Sequence, residues 1–143
     1  TGGAGAWTAL GTGNPGNVLS MRFDGAGNLY TVNNAGTTLA GVYKLAAGTT
    51  TWVEMTNLDR GDVNSPRVSN IAFDAMNNGF MIARPTVNTG SNYSLMKLPA
   101  GATAWTVALA LTVTTNDNCV ALANDNNGHL VGWCSNMVLR SRP

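Results

Sequence analysis

The chain repeats itself about every fifty residues, and no other feature constrains its fold as much. Gly-x-x-x-Trp occurs three times, at Gly3 to Trp7, Gly48 to Trp52 and Gly101 to Trp105. Each copy continues with a short apolar stretch, a variable polar segment, and a second apolar stretch ending near an aspartate. These endings are Phe23-Asp24, Phe73-Asp74 and Asn124-Asp125, so the aspartates stand 50 and 51 residues apart. A tight Gly/Asn turn and a third apolar stretch follow. Two copies then add a fourth stretch ending Lys-Leu, at Lys44-Leu45 and Lys97-Leu98.

Alternating apolar residues bounded by turn residues read as strands. In the first copy they cover Val18 to Phe23, Leu29 to Asn33, Gly41 to Leu45 and Thr51 to Met55. The second gives Val68 to Phe73, Gly79 to Ala83, Tyr93 to Leu98 and Ala104 to Leu109. The third gives Asn118 to Ala123, His129 to Cys134 and Met137 to Arg140, and its fourth strand is found at the other end of the chain, Ala6 to Leu10. Four short strands per unit of about 50 residues is the pattern of β-propeller blades. The expected fold is therefore all-β, a single domain over 1–143 with blades at about 11–55, 56–109, and 110–143 joined by 1–10. A strand from the N-terminus completing the last blade would remove free sheet edges. Three blades cannot close a ring without voids, since propellers have about 4 to 8. The chain is thus expected to be half of a six-bladed ring, as a homodimer, or a segment of a larger propeller with a complementary chain.

Composition narrows the function. Charged residues make up 10% of the chain and the formal net charge is +1, so there is no basic stripe of the kind nucleic acid requires. No apolar run approaches the roughly 18 residues of a membrane span. Thr1 stands where Met would begin a gene product, which reads as a processed, trimmed or partial chain. Low charge with abundant Gly, Asn and Thr suits a secreted or extracellular protein, and Asn92-Tyr93-Ser94 is a glycosylation sequon.

Asp24-x-x-Gly27-Asn28-Leu29-Tyr30 resembles the inner hairpin of the NHL, SMP-30/gluconolactonase and streptogramin-lyase propellers. Asp125-Asn126-Asn127-Gly128-His129-Leu130 repeats it, and Asp74 to Phe80 reads as a variant with one extra residue. The Gly-x-x-x-Trp segments resemble the Asp-box hairpins of sialidase-like propellers, with Ala47 and Ala100 where an acidic residue is expected. The gluconolactonase resemblance implies a divalent metal in a central channel. Here Asn17, Asn70, Asn118 and Arg22 fall near inner strands, but no Glu does, and Glu54 falls on an outer one. Each aspartate has a simpler role as a turn former that accepts backbone N–H groups, and no metal or other cofactor is expected.

Cys119 and Cys134 flank the third turn symmetrically. Placed opposite each other on adjacent strands they would form a disulfide closing about 15 residues, contributing about 3 kcal/mol. The other reading is two buried thiols in core positions.

The long polar connections all fall on one side of the expected strand order. They carry most charges not committed to turns: Asp59, Arg60, Asp62, Arg67, Arg84 and Asp117. These form the candidate ligand-binding set, with Trp133 as a possible sugar-stacking ring or a core residue. Catalysis is hard to assemble: the sole histidine, His129, sits in a turn on the opposite side. Asp59 and Asp62 are the nearest carboxylate pair, in one connection. The expected function is a non-catalytic extracellular recognition module, lectin-like toward glycans or binding an extracellular protein. A fragment of a metal-dependent lactonase or lyase propeller, and a structural subunit of a filament or shell, are the alternatives.

Overall fold

A computed structural model describes residues 10–12, 18–33, 41–56, 70–83, 93–111, 119–125, 129–134 and 137–140, with the backbone alone at 119–121, 134, 137 and 139. Everything regular in it is β-strand. Sheet I contains β1 (Val18–Phe23), β2 (Leu29–Asn33), β3 (Gly41–Leu45) and β4 (Trp52–Glu54). Sheet II contains β5 (Ala72–Phe73), β6 (Gly79–Ala83), β7 (Ser94–Leu98) and β8 (Thr106–Ala110). Sheet III contains β9 (Cys119–Asn124), β10 (Leu130–Cys134) and β11 (Met137–Arg140). Each sheet is an antiparallel meander with its strands side by side in chain order. Among the described residues no closed barrel or ring of sheets is found, and no helix is long and apolar enough to cross a membrane.

The repeats match residue by residue. In sheet I Leu29 pairs with Leu45, and Leu45 with Trp52. In sheet II Gly79 pairs with Leu98, and Lys97 with Thr106. Gly48 and Gly101 are the third residues of the turns 46–49 and 99–102, with φ of 74° and 78°, a left-handed conformation that glycine adopts without a Cβ penalty. The turn after Asp74 contains no extra residue, contrary to the sequence reading. Asn77 takes the place of Gly27 at φ 65° against 81°, because asparagine also tolerates the left-handed region.

Successive sheets pack face to face. Alternation along a strand gives each sheet an upstream face, toward the preceding sheet, and a downstream face. The downstream Tyr30, Val32 and Val42 of sheet I share a buried cluster with the upstream Ile71, Met81 and Met96 of sheet II. On the other side of sheet II, Ala72 is buried with Leu122 and Leu130 of sheet III, and Phe80 and Leu95 pack against them. Trp105 is buried in the first of these clusters. Trp52 is half-buried, and Trp7 lies outside the described residues.

Two parallel bridges stitch the outer edges. After β4 the chain reaches sheet II, where Thr56 pairs with Ala104: Thr56 N–H donates to Thr103 C=O at 3.4 Å and Trp105 N–H to Thr56 C=O at 3.3 Å. Thr12 makes the same contact on sheet I, its N–H donating to Thr50 C=O at 2.7 Å. The approach is close enough that a Cβ on Gly11 would stand 2.8 Å from that carbonyl oxygen.

Candidate functional site

The three aspartates at the tight-turn end are fully engaged in holding their own turns. Asp24 Oδ1 accepts the N–H groups of Ala26 and Asn28, each at 2.9 Å, and Oδ2 accepts Asn28 Nδ2 at 2.7 Å and the Tyr30 hydroxyl at 3.4 Å. Asp74 repeats this with Met76 N–H, Asn78 N–H and Asn78 Nδ2 at 3.0, 2.8 and 2.9 Å. Each asparagine then reaches the neighbouring turn: Asn28 Oδ1 accepts Ala47 N–H at 3.0 Å, and Asn78 Oδ1 accepts Ala100 N–H at 3.2 Å. One Asp–Asn pair thereby ties both hairpins of a sheet together. Asn77 ties two sheets, its Oδ1 accepting Gly25 N–H at 2.6 Å.

Burial pushes the Asp24 carboxyl up, but the Asn28 side chain, the Asn28 and Ala26 N–H groups and the Asn77 side chain outweigh it and hold it below the ordinary value of 3.8. Burial, together with the adjacent Asp24 charge and the hydrogen bond to it, pushes the Tyr30 phenol up to about 12.

In sheet III the asparagine is replaced by His129. Its N–H donates to Asp125 Oδ1 at 2.9 Å, and its Nδ1 lies 3.0 Å from Oδ2. An ionised carboxylate only accepts, so Nδ1 carries the proton in this contact. Arg140 Nη2 completes the cluster 3.6 Å from Asp125 Oδ2. This is an ion-paired turn, with no hydroxyl or thiol nucleophile among these contacts.

The first strands of the sheets converge on a cleft of about 350 Å³ lined by Arg22, Asn70, Asn124 and apolar neighbours. Arg22 lies on β1 and Asn70 two residues before β5, while Asn17 and Asn118 fall outside the described residues. Asn70 is spent on structure: its Nδ2 donates to Leu122 C=O at 2.8 Å and its Oδ1 accepts Leu122 N–H at 2.7 Å, as a paired strand would. Asn124 Nδ2 donates to Phe73 C=O at 2.9 Å. Among the described residues no group of His, Cys, Asp or Glu is placed to hold a metal ion, and the cleft lining has no carboxylate. A second, apolar hollow of about 500 Å³ lies on sheet I between Leu10, Met21, Arg22, Phe23 and Leu29.

Asp59, Arg60, Asp62, Arg67, Arg84 and Asp117 lie outside the described residues. Trp133 is exposed on β10 rather than buried in a core. Cys119 and Cys134 are opposite each other, as their symmetry about the turn suggested, but no disulfide joins them. Most of the β9–β10 ladder runs one residue out of the expected register, from Leu130 with Asn124 to Trp133 with Ala121. A bulge after Trp133 then brings Cys134 level with Cys119. A shared rung beside such an irregularity does not by itself supply the narrow Cβ geometry a disulfide needs.

The Asp–Asn clamp and the Asn70 bridge were not read from the sequence. The clamp has a signal, Asp followed four residues later by Asn in two copies. Asn70 has none, because Ser20 and Ala121 fill its place in the other copies. No family model matches the chain, and no curated protein matches it.

Proposed function

We propose that the chain is a non-catalytic extracellular recognition module of the propeller type, and that it binds glycans at the end of its sheets opposite the aspartate clamps. One observation carries the reading. In the two four-stranded meanders the first and third turns share an end, and in sheet III the first turn lies at the corresponding end, so the connections after the second strand and between sheets leave from the other. The Asp–Asn clamps therefore sit at one end, and every long polar segment leaves from the other.

Those segments are rich in Thr, Asn and Ser, as in 84–92 and 112–118. Uncharged hydroxyl and amide groups both donate and accept, which is what sugar hydroxyls require. Asp59, Arg60, Asp62, Arg67, Arg84 and Asp117 belong to the same segments and are the charged part of the proposed site. The spent carboxylates of Asp24 and Asp74 support a scaffold role for the clamp end. The three meanders in file support blades, and the resemblance to NHL and gluconolactonase-type hairpins is read as one of architecture.

A glycan array probed with the folded protein tests the reading. Binding that is lost when Thr86 to Ser91 is replaced by a Gly/Ser linker supports it. A folded protein that binds no glycan overturns it, and capture of a protein ligand instead would move the site to a different partner class.

A further inference from the structure

We propose that the cleft between the inner strands binds a small organic monocarboxylate through the Arg22 guanidinium. The inference goes beyond the recognition reading and uses none of the residues named there.

The repeat shows what the scaffold needs at this position. Arg22, Ala72 and Ala123 each stand two residues before a turn aspartate, on the first strand of their sheet. Two copies carry only a methyl group there. Ala72 is buried at 6%, in one cluster with Leu122 and Leu130 of the next sheet. A small side chain therefore satisfies the packing of sheets, and an arginine exceeds what that packing asks for.

The partners of Arg22 place it on the cleft side of its strand. It stands directly opposite Tyr30 in the β1–β2 ladder, and directly opposite residues share a face. Tyr30 packs on Phe73 of sheet II with ring centroids 5.0 Å apart, so that face is turned toward sheet II. The cleft that Arg22 lines runs from β1 to the first strands of sheets II and III and measures about 350 Å³. Small-molecule sites begin at about 300 Å³.

Charge decides the ligand. Arg22 is the one ionisable residue of the lining. Among the described residues its guanidinium makes a single hydrogen bond, from Nη1 to the carbonyl of the adjacent Met21 at 3.1 Å. The remaining N–H donors keep the planar fork that matches the two oxygens of a carboxylate. One cation matches one negative charge, which favours a carboxylate over a phosphate. Asn124 adds a neutral donor: Nδ2 gives one N–H to Phe73 C=O at 2.9 Å, and the amide has a second for a ligand oxygen. Ile71, Phe73 and Leu122 are in the same lining and suit the hydrocarbon part of an organic acid.

Titration of the folded protein with benzoate, followed through its backbone amide resonances, tests this. Benzoate should shift the signals of Arg22, Ala72 and Ala123 saturably. Benzamide, which has the same shape without the charge, should not, and neither should inorganic phosphate. Arg22→Ala introduces the residue that the other two copies carry, at an exposed position, so its spectrum should otherwise overlay on that of the parent. It should weaken benzoate binding by about tenfold or more, as the loss of charge-assisted hydrogen bonds does. Benzoate binding that is unchanged in Arg22→Ala overturns the proposal. So does the lack of any saturable shift in the parent, or binding of benzamide or phosphate as tight as that of benzoate. If Arg22→Ala does not fold, the contrast between benzoate and benzamide on the parent decides. Failure here leaves the glycan reading standing, because that reading rests on other residues.

Discussion

At the residue scale, Asp24 shows how a carboxylate can be indispensable without doing chemistry. Its oxygens satisfy two backbone N–H groups, an asparagine amide and a tyrosine hydroxyl. Asp24→Ala leaves these donors without their acceptor and should lower unfolding free energy by about 1–3 kcal/mol in urea titrations. The pH dependence follows from the direction of the shift. A carboxyl held below 3.8 in the folded state contributes its full stabilisation above that value and loses it as pH falls through the folded value. The stability gap between the parent and Asp24→Asn should therefore be constant near neutrality and shrink only in acid.

Tyr30 behaves in the opposite sense. A phenol raised from 10.0 to about 12 stabilises the fold fully below pH 10, and that contribution is lost as pH climbs toward 12. Absorbance titration should show one tyrosine ionising late, and Tyr30→Phe should abolish that step. The aspartates were legible in the sequence because a short acceptor before Gly or Asn has a recognisable turn chemistry. Their asparagine partners were not, because a side chain that reaches a second hairpin leaves no local signature.

At the scale of strands and turns, reading by alternation recovered edge and interior strands alike. The expected bounds for β1, β2, β3, β6 and β11 coincide with those observed. It overran for β5, which is only Ala72–Phe73, and Asn70 just before it bonds through its side chain to Leu122 of sheet III. Asn70→Ala should remove both of those hydrogen bonds, cost about 2 kcal/mol, and speed amide exchange at Leu122. Gly79 makes a second test. It stands where Leu29 and Leu130 stand in the other sheets, but a Cβ there would meet Phe73 Cε1 at 3.0 Å and Trp105 Cη2 at 3.3 Å. Gly79→Ala should destabilise by about 1–3 kcal/mol through overpacking, read as a lowered melting temperature. The matching substitution at Gly101 meets nothing within 4 Å, so its cost, of about 1–2 kcal/mol, comes from the left-handed backbone alone.

At the scale of the molecule, the order of sheets was legible from the repeat, and so was the meander within each. The proposed ligand set was legible only as a cluster in sequence, since charge and polarity say where side chains are solvated and not what they meet. The distribution of fastenings has a further consequence. Asp–Asn clamps hold one pole of sheets I and II, and the Asp125–His129–Arg140 cluster holds the same pole of sheet III. Amino-acid changes at the far pole would therefore leave these locks untouched. A lineage built on this plan is free to rewrite its polar segments while inheriting the frame unaltered.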